Sequence, residues 1–181
     1  TSDNPKRKLR HSWELVEVDG ALICVNTMRA NQVVAEALAE QRIEEVRGYE
    51  RVRAEVRLPS GSRLDFVLSN GEDEQDRCFV EVKSVTLGVG ERVSAFPDSV
   101  TVRGAKHLRE LAQLKNEGAR AVLLFCVGRN DTERVRPADA IDPAYGKILR
   151  EVVDQGVEVL AYRAAIDPGR IELEERVPIQ L

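Results

Sequence analysis

Hydrophobic positions recur along the chain with two periods. Val33, Val34, Ala37 and Leu38 follow helical spacing and predict a helix over about residues 29–41, with Asn26 or Thr27 to cap it. The period then drops to two. Val52, Ala54, Val56 and Leu58 alternate with Arg53, Glu55 and Arg57, as in a strand with one buried face. Pro59-Ser60-Gly61-Ser62 turns the chain into a second strand over 63–68, and a polar loop over 69–77 turns it into a third over 78–87. These three predict an antiparallel meander. Ala105, Leu108, Leu111 and Ala112 mark a helix over about 102–116, closed by Glu117-Gly118. The unbroken apolar run 121–127 suits a strand buried on both faces. A helix over 145–154, a strand over 157–165 and an edge strand over 171–181 follow. At the start, Asp19-Gly20 joins two short strands, 13–18 and 21–25. The segment 88–99 reads as a loop, because Gly88 and Gly90 lack the rest of a dinucleotide fingerprint. The order helix, three strands, helix, strand, helix, strand predicts an α/β fold: a mixed sheet with helices on both faces.

Composition narrows the function classes. The chain has 181 residues, enough for one full domain, and an aliphatic core is feasible. With 27 basic and 31 acidic residues the net charge is −4, so any case for nucleic acid rests on local patches. No apolar run is long enough to span a membrane and no secretory leader is visible; a cytoplasmic protein without a membrane partner is expected. Cys24, Cys78 and Cys126 lie far apart in apolar runs, which suits buried thiols rather than zinc or disulfides. Two histidines, His11 and His107, are too few for a His-rich metal site.

Candidate chemistry concentrates in the meander. Glu81 and Lys83 are two apart on a strand and so share a face. A symmetric loop pairs Ser69 with Arg77 and sets Asp65 opposite Glu81, on that same face. Two carboxylates and an ammonium then converge. With the Val82 carbonyl, Asp65 and Glu81 can hold Mg²⁺ or Mn²⁺, which prefer oxygen ligands and keep several waters. Lys83 can orient or deprotonate an attacking water and offset phosphate charge. The bland alternative is a cross-strand ion pair on a half-exposed strand.

The run Phe79-Val-Glu81-Val-Lys83-Ser-Val-Thr-Leu87, followed by Phe96-Pro-Asp98-Ser-Val-Thr101-Val-Arg103-Gly-Ala-Lys106-His107-Leu-Arg-Glu110-Leu111, closely resembles the sugar fermentation stimulation protein A family. Further matching stretches are Thr1-Ser-Asp-Asn4, His11-Ser-Trp-Glu-Leu15, Ile23-Cys-Val-Asn-Thr27, Asp142 and Gly156-Val-Glu-Val-Leu-Ala-Tyr162, so the resemblance spans the chain. It implies an oligonucleotide-binding (OB) barrel followed by a restriction-endonuclease-like domain of the PD-(D/E)xK type. Asp65, Glu81 and Lys83 match that motif, and Glu36 on the first helix matches an accessory carboxylate acting through water. The chain begins at Thr1 rather than Met, and residues 1–25 resemble the last strands of the barrel. The nuclease-like domain would then cover 26–181. The family is described as DNA-binding and as a regulator of sugar, notably maltose, metabolism.

Two basic groups remain. Arg103, Lys106 and His107 share one face at the start of a helix whose N-terminus suits phosphate; the alternative is a solvated face with a Lys106–Glu110 pair. Lys6, Arg7, Lys8, Arg10 and His11 form a basic arm able to neutralise phosphates, or a solvated linker. The acidic loop 72–76 should face solvent and repel DNA from its edge. The expected partner is DNA, with RNA as the second nucleic acid to consider and a homodimer as an assembly left open. Metal-dependent phosphodiester hydrolysis is the leading activity. A non-catalytic DNA-binding regulator of sugar metabolism is the alternative.

Overall fold

A computed structural model of the chain describes residues 4–71 and 76–181. Its strands are β1 (Leu15–Val18), β2 (Ala21–Cys24), β3 (Arg51–Arg57), β4 (Arg63–Ser69), β5 (Arg77–Val85), β6 (Leu87–Gly88), β7 (Val93–Phe96), β8 (Arg120–Val127), β9 (Arg134–Pro137), β10 (Glu158–Asp167) and β11 (Arg170–Arg176). The helices are α1 (Met28–Ala39), α2 (Val102–Asn116) and α3 (Pro143–Asp154). A six-stranded sheet in the order β11-β10-β8-β5-β4-β3 carries the fold. The meander β3-β4-β5 is antiparallel, whereas β5, β8 and β10 run parallel.

The sheet divides two apolar cores. On one face α1 packs Val34, Ala37 and Leu38 against Phe66, Leu68, Val80 and Val82. On the other, α2 and α3 bring Leu108, Leu111, Ile148 and Leu149 onto Val67, Phe79, Leu123 and Phe125. Because both faces are covered, β8 has to be apolar at every position, and from Ala121 to Val127 it is. All three cysteines are free and buried; burial pushes the Cys78 and Cys126 thiols up to about 12. The segment read from sequence as a loop, 88–99, differs. Leu87–Gly88 and Val93–Phe96 join Arg134–Pro137 in a small three-stranded sheet. Val93 pairs in parallel with Arg134, so the signal is a distant partner rather than local periodicity. The last residues also depart from a single edge strand. After β11, Val135 N donates to Pro178 O and Gln180 N to Val135 O, which carries the tail across to β9.

One irregularity shapes the site. Leu64 and Phe66 are two apart on β4, yet Leu64 packs in the α2/α3 core and Phe66 in the α1 core. Their partners on β3, Val56 and Ala54, flank Glu55, which has φ 57°. The β3–β4 ribbon therefore turns over at the Glu55/Asp65 position. A glutamate in the left-handed region costs roughly 1–2 kcal/mol, so the surrounding pairing holds it there.

The start of α2 is tied to α3 through one carboxylate. Asp142 caps α3, accepting from Tyr145 N at 2.9 Å, and also accepts from Thr101 N at 2.9 Å. The backbone N–H groups of Thr101 and then Tyr145 hold its pKa below the ordinary aspartate value. Such a group stabilises the fold above its unfolded pKa and loses that contribution as pH falls through its lower folded value. Asp142→Ala should cost about 1–2 kcal/mol, a drop of about 2–8 °C in melting temperature. The difference from the parent protein should be full at pH 7 and shrink in strong acid, as followed by thermal unfolding across pH.

Candidate active site

Glu81 sits in mid-β5 and projects to the α2 side of the sheet, where it is only 3% exposed. A carboxylate removed from water this far needs charged or hydrogen-bonding partners. Two are present. Lys83 Nζ donates to Glu81 Oε1 at 2.7 Å, and His107 Nδ1 contacts the same oxygen. His107 Nε2 accepts from Arg103 Nε at 3.4 Å, so the proton that meets Glu81 is carried on Nδ1. Burial pushes the Glu81 pKa up, but His107 and Lys83 outweigh it and the net shift is downward. Glu81 Oε2 is buried and has no hydrogen-bond partner among the described residues.

Asp65 stands beside it. The β4–β5 ladder runs from Ser69↔Arg77 to Phe66↔Val80 in the register the symmetric loop predicts, and stops one residue short of Asp65↔Glu81. Where the ribbon turns over, the Asp65 side chain takes the ladder's place: Oδ2 accepts from Val82 N at 2.8 Å. Oδ1 accepts from Asn31 Nδ2, on α1, at 2.7 Å. Burial first, and then the Glu81 charge, raise the Asp65 pKa. The two acids thus shift in opposite directions, as carboxylates do when they share one low-dielectric site.

A cleft of about 400 Å³ opens over Asp65, lined by Glu55, Gly61, Ser62 and Arg63 on one side and by Arg103, Lys106 and His107 of α2 on the other. The walls are tied together. Ser60 Oγ donates to Glu110 Oε1 at 2.8 Å, and Lys106 Nζ lies 3.7 Å from the same carboxylate. Thr101 Oγ1 accepts from Gly104 N, so the α2 N-terminus offers an anion fewer free N–H groups than the sequence suggests.

The structure therefore brings Asp65, Glu81, Lys83, Val82, Arg103, Lys106 and His107 to one place. His107 is buried and lines the cleft beside Arg103 and Lys106, with its Nδ1 bonded to Glu81. Glu36 is not brought there: it pairs with Arg42 at 3.8 Å and lines a depression toward the β10–β11 turn. It lies five residues beyond Asn31, about 140° around the helix, and Asn31 is the α1 side chain that meets Asp65. Lys6, Arg7, Lys8, Arg10 and His11 are exposed; Arg7 bonds Ser12 Oγ at 2.9 Å, and no hydrogen bond or ion pair links the arm to the acids among the described residues. The acidic loop falls, at 72–75, outside the described residues. Sequence patterns did not reveal Asn31, Glu55, Ser60 or Glu110 as parts of the site. Only the position of Glu110 one turn beyond Lys106 and His107 hinted at the last of them.

Among the described residues, no three His, Cys, Asp or Glu side chains form a ready-made metal-binding group. Two carboxylates, a lysine and a cationic cleft on a two-faced α/β sheet define the class of site. The chain matches the family model described as "Sugar fermentation stimulation protein RE domain" over residues 28–170. It is 51% identical over 180 residues to a sugar fermentation stimulation protein homolog of Pelobacter propionicus, covering 99% of this chain and 76% of that one. A Pseudomonas aeruginosa homolog is 54% identical over 183 residues, covering 99% and 77%. The chain belongs to the sugar fermentation stimulation protein family, and spans about three quarters of those relatives' length. A solved structure, Pyrococcus furiosus SfsA in complex with Ca²⁺, has the same fold at a TM-score of 0.83 and 24% identity, covering 93% of this chain and 71% of that one.

If Glu81 depends on His107 as its geometry indicates, His107→Ala should destabilise the protein by about 3–5 kcal/mol, the usual result of stripping one partner from a buried charge. Adding Glu81→Gln should recover part of that loss. A double-mutant cycle by urea unfolding reads the coupling directly; additive losses would show the contact to be incidental.

Proposed function

We propose that this protein hydrolyses phosphodiester bonds of nucleic acid with the help of a divalent cation. The observation that carries the reading is Asp65 in a cleft whose walls bring Arg63, Arg103 and Lys106, with Glu81, bound by Lys83 and by the cleft-lining His107, close enough for its charge to act on Asp65. On this reading the sheet is a restriction-endonuclease-like core. Residues 1–25 are the end of an OB-type barrel, and the exposed Trp13 beside β1 suits a segment meant to meet more protein. The working compartment would be the cytoplasm; no helix among the described residues is long and apolar enough to cross a membrane.

The residues fit a hard cation. Glu81 Oε2 has an unused lone pair in a buried position, and Asp65 is raised in pKa partly by the Glu81 charge. A cation between them relieves both conditions. Mg²⁺ or Mn²⁺ is the proposed ion, and the Ca²⁺ in the Pyrococcus furiosus structure supports a divalent site in the fold. When bound, the ion would activate a water and stabilise charge on the phosphate. Asn31 and Val82 N orient Asp65; His107 and Lys83 orient Glu81. On this reading Lys83, 14% exposed at its side chain, would hold the attacking water or neutralise the phosphate.

The second reading is a DNA-binding regulator of sugar metabolism, in keeping with the family to which the chain belongs. It rests on the same cationic cleft without chemistry at the acids. Labelled single- and double-stranded DNA and RNA, incubated with Mg²⁺ or Mn²⁺, separate the two. Hydrolysis should occur and fall by at least about 100-fold in Lys83→Ala, while nucleic-acid affinity in EDTA changes far less. A folded, nucleic-acid-bound protein that cleaves none of these substrates would leave the regulator.

A further inference from the structure

We infer that the free edge of the large sheet, strand β3, is a docking track for a nucleic-acid strand, which lies against Arg53, Arg57 and Arg63 and passes over Asp65. The inference rests on the nucleic-acid reading above and gives it a location.

Strand β3 ends the six-stranded sheet and is exposed over six of its seven residues, Val56 alone being half-buried. From Arg51 to Arg63 the sequence carries four arginines against one glutamate, in a chain whose acids outnumber its bases. Arg51 reaches Gly71 O, and Arg63 is paired with Glu55. The side chains of Arg53 and Arg57 have no hydrogen-bond or ion-pair partner among the described residues. Exposed arginines left unpaired on a net acidic protein point to an anionic partner.

Position strengthens the case. Arg53 pairs in register with Val67, and Arg57 with Arg63. Asp65 lies between those two rungs, opposite Glu55. Because the ribbon turns over there, Arg53 shares the face of Val67 and Arg57 the opposite one, so the two cations flank the acid along the edge from either face of the sheet. The cleft continues from Glu55 and Arg63 toward Arg103 and Lys106, giving the strand a second wall on α2. Phosphates flanking the one under attack would meet guanidinium groups, which position a backbone without reading bases.

A free sheet edge also invites a second copy of the chain by strand addition. Strand β3 is poorly built for that. Glu55 at φ 57° interrupts the extended backbone in mid-strand, and arginines occupy the edge. Both features discourage edge-to-edge pairing and neither hinders a polyanion.

The test compares the parent protein, Arg53→Ala, Arg57→Ala, the double variant and Lys147→Ala, which removes the same charge from the exposed surface of α3. Binding of fluorescent single- and double-stranded oligonucleotides is measured in EDTA over a range of salt. Each track arginine should lower the slope of log affinity against log salt by about 1. The double variant should weaken binding on the order of tenfold at moderate salt, and Lys147→Ala should change neither. Binding by the parent with an unaltered slope in the double variant overturns the track and leaves the nucleic-acid reading standing. No binding by the parent overturns both. A dimer in sedimentation that Arg53→Ala or Arg57→Ala dissociates assigns β3 to a second copy and overturns the track.

Discussion

The buried carboxylate of Glu81 is the constraint around which the site is organised. An ion taken from water into a sheet–helix interface costs several kcal/mol unless its partners are fixed. Those partners come from different levels of the fold. Lys83 arrives by strand periodicity, two residues along β5. His107 arrives only because α2 packs Leu108 and Leu111 into the core at the right rotation. The tautomer of His107 follows in turn from Arg103, one helical turn earlier. The packing of α2 thus decides the electrostatics of a residue on another element, and the charge of Glu81 in turn restricts how α2 can sit.

Much of this was legible in the chain. The alternation in β3, the length of the polar loop and the spacing of Glu81 and Lys83 were enough for the meander and its register as far as Phe66↔Val80. The bounds of α2 follow from its apolar face and Gly118. What escaped was non-local. Nothing in the strand pattern marks the turnover at Glu55 and Asp65, because Leu64, Phe66 and their partners are all apolar and differ only in which core receives them. Asn31 is an ordinary helical asparagine until α1 is docked, and Glu36 a more obvious acid that docking carries elsewhere. The small sheet of β6, β7 and β9 depends on a pairing some forty residues apart, beyond any local period.

The turnover has a mechanical consequence. A regular ladder would spend Val82 N–H on a backbone carbonyl and leave the Asp65 side chain free to rotate. Here the side chain replaces that carbonyl, and Asn31 fixes its other oxygen. Both oxygens of Asp65 are therefore held, with α1 supplying one donor and the neighbouring strand the other. The Ser60–Glu110 contact acts similarly on the cleft, since it anchors the β3–β4 turn to the helix that carries Arg103 and Lys106. Preorganisation of this sort matters for chemistry more than for affinity, because it removes reorganisation from the reacting step.

Charge balance bears on the choice between catalysis and simple binding. A protein that only holds a polyanion gains nothing from one carboxylate in its cleft and a second buried beside it, since they repel the ligand through a medium that screens poorly. Burial of Glu81 makes that worse. Replacing Asp65 and Glu81 by neutral residues would strengthen such a site and spare the desolvation. Retaining both acids becomes intelligible when a cation stands between them and the phosphate, turning the repulsion into coordination. The asymmetry of the pair fits the same account: Glu81, held by two cationic or donor groups, stays ionised, while Asp65, raised by burial and by its neighbour, gains most when positive charge arrives. The acids are thus a burden for binding and an asset for hydrolysis, which is why the catalytic reading is preferred over the regulatory one.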